Sequence, residues 1–466
     1  MTNELQDLPD ITDFKQFLRT DPDAQAFLRE SRADAPITLA RAPGRLDVMG
    51  GVADYSGSLV AEMSIAEAAL VALAPRTDHT LRVWSRGMEA EALTPQVSLP
   101  LADFYNGDAL ADYATVHLRL CRAPLARWAA YVFGCVYVLL AEGIIPHFPY
   151  GANLILDSRV PLGAGVSSSA AIEVATMQAL NAAYGLHLDG VTLARLSQIV
   201  ENKVVGAPCG IMDQMSSALC VPNSLLLILC QPHEVMGTQT LPDGVRVFGI
   251  NSAVKHSIGG SAYTRARVAA FMGRKILGVE YLSQLSTQEY EDQLKSTLPT
   301  YIKGSEFLAQ FGETGDAVTQ VDPNENYAVI AATSHGIWEN RRVTGFVREL
   351  QEAKNDSPHR LSEYLRRVSA KMYAAHNSYS QIGLGCEETD LLVEMGRQAG
   401  PDQGIYGAKI TGGGSGGTVA FLTYGNNADQ TIDRIAHVYE QHTGRTPQIF
   451  EGGLSPGAMA FGSETV

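Results

Sequence analysis

Cysteine is sparse and badly placed for cross-linking: the six residues at 121, 135, 209, 220, 230 and 386 form no C-x-x-C pair and have no histidine at zinc spacing. A disulfide framework and a zinc knuckle are therefore not expected, and a reduced, cytoplasmic setting fits best. Positive charge is also short, with 35 Lys plus Arg against 50 Asp plus Glu and a formal net charge of -15. An extended nucleic-acid or anionic-membrane surface needs clustered cations, so neither partner is expected, and an anionic ligand must be met locally. The acidic opening MTNELQDLPDITDF lacks a basic-then-apolar pattern, so no secretory leader is expected. The longest apolar run, 128–141, stops at Glu142, short of the about 20 residues that a bilayer span requires, and reads as a core helix.

The chain has 466 residues, beyond the about 250–300 at which a single core stops growing. Two domains are expected. Residues 1–35 read as a polar, helix-prone lead-in. Strand candidates follow at 37–41, 58–63, 69–74, 80–85 and 153–158, by length and β-branched content. A glycine-rich segment then leads into an apolar-periodic helix over 168–185, stopped by Gly185. Helices over 192–206 and 210–220 flank the breaker GAPCG, and strands return at 224–230 and 245–251. Beyond about 255 the pattern shifts to longer charge-laced helices at 261–277, 324–354 and 361–376. Residues 280–323 are weakly periodic, with helices that the pattern does not bound. A strand-glycine-strand unit over 408–422, an amphipathic helix near 428–442 and an exposed tail complete the expectation. The domains are set at 36–245 and 246–466.

Three glycine-rich stretches carry the chemistry. RAPGRLDVMGGVADYSGS (41–58) reads as too irregular for a helix and too polar for a buried strand, a segment built to grip a polar molecule. PLGAGVSSSAAIEV (161–174) places small residues before a helix. The unpaired N–H groups of a first helical turn carry roughly half a positive charge and suit a phosphate. Ser167, Ser168 and Ser169 add hydroxyls that can reach a phosphate-bound cation. No G-K-[ST] follows, so this is not a Walker loop; the plain alternative is a serine-capped turn. GGGSGG (412–417) formally satisfies G-x-G-x-x-G, yet a strand rather than a helix follows it. A glycine hinge beside a ligand is the better reading, with Lys409 as counter-charge. Glu201 and Asp213 flank GAPCG, which can fold both carboxylates toward one cleft, one to hold a metal and the other to receive a proton. Solvated surface acids are the plain alternative for that pair.

In this order, the three stretches resemble the sugar kinases of the GHMP superfamily over about 37–462. VGAPCGIMDQMSS and INSAVKHSIGGSAYTRAR are similar to the galactokinase branch, and GRLDVMGGVADYSGS with GAKITGGGSGGTV and IFEGGLSPGA is similar to the kinase domains of its L-arabinokinase subfamily. The resemblance implies an α+β, two-domain GHMP kinase fold with the active site in the cleft between the domains. It implies ATP and Mg2+ as cofactors and a small-molecule sugar, phosphorylated at its anomeric hydroxyl. By the same resemblance Asp213 is the base and Arg45 its partner, Ser169 and Glu201 hold magnesium, and Asp54, Gly210 and Tyr263 contact the sugar. The loop of Gly163, Ala164, Gly165, Val166, Ser167 and Ser168 cradles the ATP phosphates, and Gly412, Gly413, Gly414 and Ser415 form the third motif.

Galactokinases carry Glu-His where this chain has Gly51-Val52, near the sugar's exocyclic hydroxymethyl group. L-arabinopyranose is galactopyranose without that group. A site that hydrogen-bonds a hydroxyl penalises the analogue lacking it, because its own polar groups are left unpaired. Removing the pair removes the penalty, so a pentose preference is expected, with L-arabinose first and D-galactose as the alternative. A loop merely repacked is the plain reading. A sugar-sensing relative without activity would have lost the base or the phosphate loop, and both are present. A dinucleotide oxidoreductase would rest on GGGSGG alone. His256 reads as a local hydrogen-bonding group, His335 and His376 as helix residues without metal-spaced partners, and Cys209 as packing that can line the site.

Overall fold

The computed structural model describes residues 8–32, 35–254 and 261–466; the reading of His256 lies outside them. Helices α1 (Pro9–Thr20) and α2 (Pro22–Leu28) open the chain, separated at Asp21, whose side chain accepts from the N–H groups of Asp23 and Ala24. Ile11, Phe14, Leu18 and Phe27 on these helices pack against Leu39, Leu70 and Ile155 of the sheet that follows.

Strand β1 (Thr38–Met49) runs unbroken through TLARAPGRLDVM, and every residue in it is buried. The first half of 41–58 is thus a buried strand after all. Its polarity misled because each polar side chain has a partner, which removes most of the cost of burial. Arg41 donates to Asp10 Oδ2 at 2.8 Å and to Ser455 Oγ at 3.0 Å, so one guanidinium fastens both the lead-in and the tail to the sheet. Pro43 and Gly44 sit where the pairing with β2 shifts register, between Pro43 and Arg45.

Strand β2 (Leu59–Pro75) joins two expected strands into one. It is followed by β3 (Thr80–Ser85), β4 (Gln96–Pro100), α3 (Tyr113–Cys121), α4 (Ala130–Ala141), β5 (Ala152–Ser158), α5 (Ser168–Ala183), α6 (Gly190–Ile199), α7 (Met212–Leu219), β6 (Ser224–Leu229) and β7 (Glu234–Thr240). The length of β2 lets one edge serve two partners, β6 over 59–62 and β5 over 69–75. With the last strand of the chain, β12 (Glu464–Thr465), the eight-stranded sheet runs β12-β1-β2-β5-β3-β4, with β6 also on β2 and β7 on β6; only β3 with β5 is parallel. The apolar stretch Pro124–Ala141 is long enough to cross a membrane, and 67% of it is buried inside the fold as a core helix.

Strand β8 (Val245–Asn251) starts a second, four-stranded antiparallel sheet, completed by β9 (Ile405–Ile410), β10 (Thr418–Tyr424) and β11 (Ile449–Glu451) in the order β9-β10-β8-β11. Around it lie α8 (Ser261–Leu277), α9 (Gly304–Phe311), α10 (Val329–Asn355), α11 (Leu361–Gln381), α12 (Glu387–Ala399) and α13 (Ala428–Thr443). The fold is thus mixed α+β. The tail, expected to be exposed, is built in: β11 pairs with β8, β12 pairs with β1, and Ser455 receives both Arg41 and, at its carbonyl, Ser64.

Candidate active site

The loop after β5 turns sharply at Ser167, which caps α5 in the left-handed region at φ 62. First-turn N–H groups without intrahelical partners are the local basis of an anion site. Two other glycine-rich segments close on this loop. From β1, Arg45 donates its N–H to Val166 O at 3.1 Å and Nη1 to Gly165 O at 2.8 Å. From β10, Thr418 Oγ1 donates to Ala164 O at 2.8 Å. A Cβ at Gly412 would stand 2.9 Å from Gly165 O, and one at Gly417 2.9 Å from Ala164 O, both at positive φ. Only glycine permits that conformation and that approach together. No helix follows the third stretch, so it does not form a dinucleotide fingerprint.

A cavity lies where these segments meet, lined by Arg45, Val52, Asp54, Gly163, Gly165, Ser167, Ser168, Ser169, Glu201, Gly210, Asp213, Tyr263, Gly412 and Gly413 among the expected residues. Gly51, Ala164, Val166, Gly414 and Ser415 do not line it. Cys209 does, together with Pro208 and Met212, which the sequence reading passed over.

Asp213 stands in the first turn of α7, and its Oδ1 accepts from Arg45 Nη2 at 2.6 Å and Nε at 3.0 Å. Arg45 is 2% exposed, whereas the Asp213 side chain is 22% exposed and open to the cavity. Burial works against the Arg45 charge, but the carboxylates of Asp213, Glu62 and Asp47 outweigh it and raise its pKa further. Glu62 Oε2 lies 3.3 Å from Arg45 Nε, buried, with its pKa raised by burial and by Asp47.

Neither acid of the GAPCG pair is a solvated surface group. Glu201 lies in a π-helical turn, Val200–Val205, that continues α6, and its Oε1 accepts from Ser169 Oγ at 2.8 Å. Gln214 Nε2 bridges Glu201 Oε2 at 2.6 Å and Glu173 Oε2 at 3.1 Å. Burial, reinforced by the charge of Asp213, pushes the Glu201 carboxyl up to about 7 against the hydrogen bonds from Ser169 and Gln214. A hydroxyl and a carboxylate are the hard oxygen donors that magnesium takes, usually with phosphate oxygens completing the shell. Among the described residues no group of three or more His, Cys, Asp or Glu side chains is placed to hold a metal by itself.

On the far wall, Asp54 Oδ1 accepts from the Tyr55 N–H at 2.8 Å. Its other oxygen rests on Gly210, where a Cβ would stand 1.6 Å from Oδ2. Burial first, then the charge of Asp213, raises Asp54 to about 6. Tyr263 meets Tyr55 edge-on, and Arg267, pinned by Asp316 at 2.7 and 2.9 Å, donates to Cys209 O at 3.1 Å. Arg267 was missed by the sequence reading because its partner lies in the unperiodic 280–323 segment.

Lys409 is not a counter-charge facing a ligand. Its Nζ is fully buried and bound to Asp47 Oδ2 at 2.8 Å. Asp47 also accepts from the N–H of Gly51 at 3.1 Å and of Gly412 at 3.3 Å, and Tyr379 donates to Gly412 O at 2.9 Å. A Cβ at Gly51 would lie 2.0 Å from both Asp47 Oδ2 and the Tyr379 hydroxyl, so this position has no room for a side chain. Val52 turns in the left-handed region, φ 58, which a β-branched residue adopts only when its surroundings hold it there. The Gly51 carbonyl accepts from His335 Nε2 at 3.2 Å.

An anion-ready helix start opposite a carboxylate held by a guanidinium is suited to phosphoryl transfer, and similarity points the same way. Residues 130–220 match the GHMP kinase N-terminal domain and residues 361–441 the GHMP kinase C-terminal domain. The chain is 30% identical to a galactokinase of Chloroflexus aggregans, covering 89% of this chain and 90% of that one. It is 39% identical to an L-arabinokinase of Arabidopsis thaliana over 91% of its own length, but spans only 46% of that protein. A crystal structure of Lactococcus lactis galactokinase with galactose has the same fold, with a TM-score of 0.72, 19% identity, and 98% and 99% of the two chains covered. The chain belongs to the GHMP kinase family, in its galactokinase branch. Membership makes it a kinase and a user of ATP.

Proposed function

We propose that this chain transfers the γ-phosphoryl group of ATP to the anomeric hydroxyl of a monosaccharide, L-arabinose before D-galactose. The observation that carries the reading is the Arg45–Asp213 pair, 2.6 Å apart, set beside the loop that opens α5. Phosphoryl transfer asks little covalent work of a protein, so alignment and charge stabilisation dominate. Asp213 accepts the hydrogen bond of the attacking hydroxyl and takes its proton as transfer completes. Arg45 holds that carboxylate in place and, through Gly165 O, fixes it relative to the phosphate loop. The N–H groups at the start of α5 bind the phosphates. Ser169 and Glu201 would hold Mg2+, which would offset phosphate charge. Asp54 holds ring hydroxyls, Gly210 keeps the backbone close enough for Asp54 to lie flat against it, and Tyr263 closes the sugar side.

The pentose preference rests on Val52, which lines the cavity near Asp54 with an apolar face. A missing hydroxymethyl group leaves nothing unsatisfied there, whereas a hexose brings a hydroxyl without a partner. Gly51 contributes only backbone. An apolar wall rejects an added hydroxyl by about 100-fold at most, so galactose is expected to be a poor substrate rather than a blank. Turnover of L-arabinose, D-galactose and D-glucuronate with ATP and magnesium tests this. L-arabinose is expected to lead in kcat/KM; galactose leading by a wide margin overturns the pentose reading and leaves the kinase reading intact.

A further inference from the structure

In a chain of net charge -15, one cleft is lined by six cations, Lys295, Arg341, Arg342, Arg348, Arg367 and Lys371, and by a single acid, Glu291. It runs between α10 and α11, away from the cavity described above, with a volume of about 950 Å³. The other acids that pair with these cations, Glu339, Glu349, Glu352 and Glu363, do not line it. Arg341 makes no hydrogen bond or ion pair among the described residues, and Arg348 meets Glu352 only at 3.8 Å with both side chains at least half exposed. Such spare guanidinium groups suit phosphate, which they bind through paired N–H donors. The volume is in the range of about 300–1,000 Å³ typical of small-molecule sites, and the cations gather in one open cleft rather than along the extended stripe a nucleic acid needs.

We propose that this cleft binds a phosphorylated small molecule, with Arg341 and Arg348 as its principal phosphate ligands. The site lies two hydrogen bonds from the sugar loop. Ser378, which lines the cleft, meets His335 Nδ1 at 2.9 Å, and His335 Nε2 meets Gly51 O at 3.2 Å. A carbonyl only accepts, so Nε2 carries the proton and Ser378 must donate to Nδ1. An occupant that draws the Ser378 hydroxyl toward itself leaves Nδ1 unpaired and loosens the residue that holds Gly51 beside Val52. Occupancy is therefore expected to act on KM for the sugar.

The test uses inorganic pyrophosphate as probe and the fluorescence of Trp338, which lines the cleft, with Trp338→Phe as the control for Trp84 and Trp128. A saturable change with millimolar or tighter affinity is expected, absent in Trp338→Phe and weakened about tenfold or more in Arg341→Ala/Arg348→Ala. No saturable response up to about 10 mM, or equal affinity in the double variant, overturns the site. This arm does not depend on the kinase reading. In a second arm, which rests on that reading, pyrophosphate at saturating ATP is expected to raise KM for the sugar in the parent chain and not in the double variant. An equal response in both overturns the link to the sugar loop.

Discussion

Two acid–base pairs start from strand β1 two residues apart, and they differ in what can reach them. Arg45 and Asp213 meet at 2.6 Å and Lys409 and Asp47 at 2.8 Å, so the contacts are alike. The Asp213 side chain keeps 22% of its surface and borders the cavity, whereas Asp47 and Lys409 keep none. The first pair is suited to meeting a substrate. The second joins the first glycine-rich stretch, on β1, to β9 just before the third, and its energetics are those of a sealed ion pair, costly to break and of little chemical use. Access, rather than residue type, separates the pair that borders the cavity from the sealed one.

That contrast can be broken from the supporting side first. Lys409→Met leaves the Asp47 carboxylate buried without its cation, and a loss of about 3–5 kcal/mol in urea unfolding is expected. Asp47→Asn/Lys409→Met is expected to recover most of it; a single variant as stable as the parent would mean that the pair does not hold the motifs together. Gly51→Ala pushes a methyl group onto Asp47 Oδ2 and the Tyr379 hydroxyl, and about 1–3 kcal/mol of destabilisation is expected, with KM for the sugar rising. An Ala variant as stable as the parent would show that the loop moves aside freely.

Smaller effects sharpen the sugar side. Val52→His places a polar ring at the cavity wall in a backbone conformation that His tolerates better than Val. The arabinose-to-galactose ratio of kcat/KM is expected to fall about tenfold without loss of stability; an unchanged ratio would remove Val52 from specificity. Protonation tests Asp54. Its pKa is raised to about 6, so the ionised acceptor form prevails above that pH and is lost as pH falls through it. KM for the sugar is expected to about double between neutrality and pH 6 and to climb further below, the half-protonated point marking the pKa. A KM flat down to about pH 5 would mean that Asp54 carries no sugar hydroxyl in its ionised form.

Much of this arrangement could be read from residue patterns because it obeys local rules. β3 and β8 fall on 80–85 and 245–251 as expected, and α8 covers 261–277, since periodicity and flanking breakers suffice there. The helix expected over 168–185 ends slightly earlier, at Ala183, with Tyr184 as its cap and Gly185 following at a positive φ. Where the reading failed, a distant partner decided. The strand expected at 37–41 runs on to Met49, and Arg45 and Asp47 made that continuation look too polar to be buried until Asp213 and Lys409 arrived from across the chain. Lys409 looked free because nothing near it in sequence is acidic. Residues 280–323 resisted because short 3-10 and π turns there, such as Leu282–Gln284 and Tyr290–Leu294, repeat no face long enough to set a period. The tail looked uninformative because its contacts, Ser455 with Arg41 and β12 with β1, close loops of more than 400 residues.

The most direct test of the account is the rate of sugar phosphorylation by Asp213→Asn, measured beside its melting temperature and its affinity for ATP. Asparagine keeps the shape and part of the contact with Arg45 but cannot take a proton, so kcat is expected to fall by about 10²–10⁴ while melting and ATP binding stay as in the parent. A folded, ATP-binding Asp213→Asn enzyme that phosphorylates its sugar at the parent rate would contradict the assignment of Asp213 and with it the division between the two pairs.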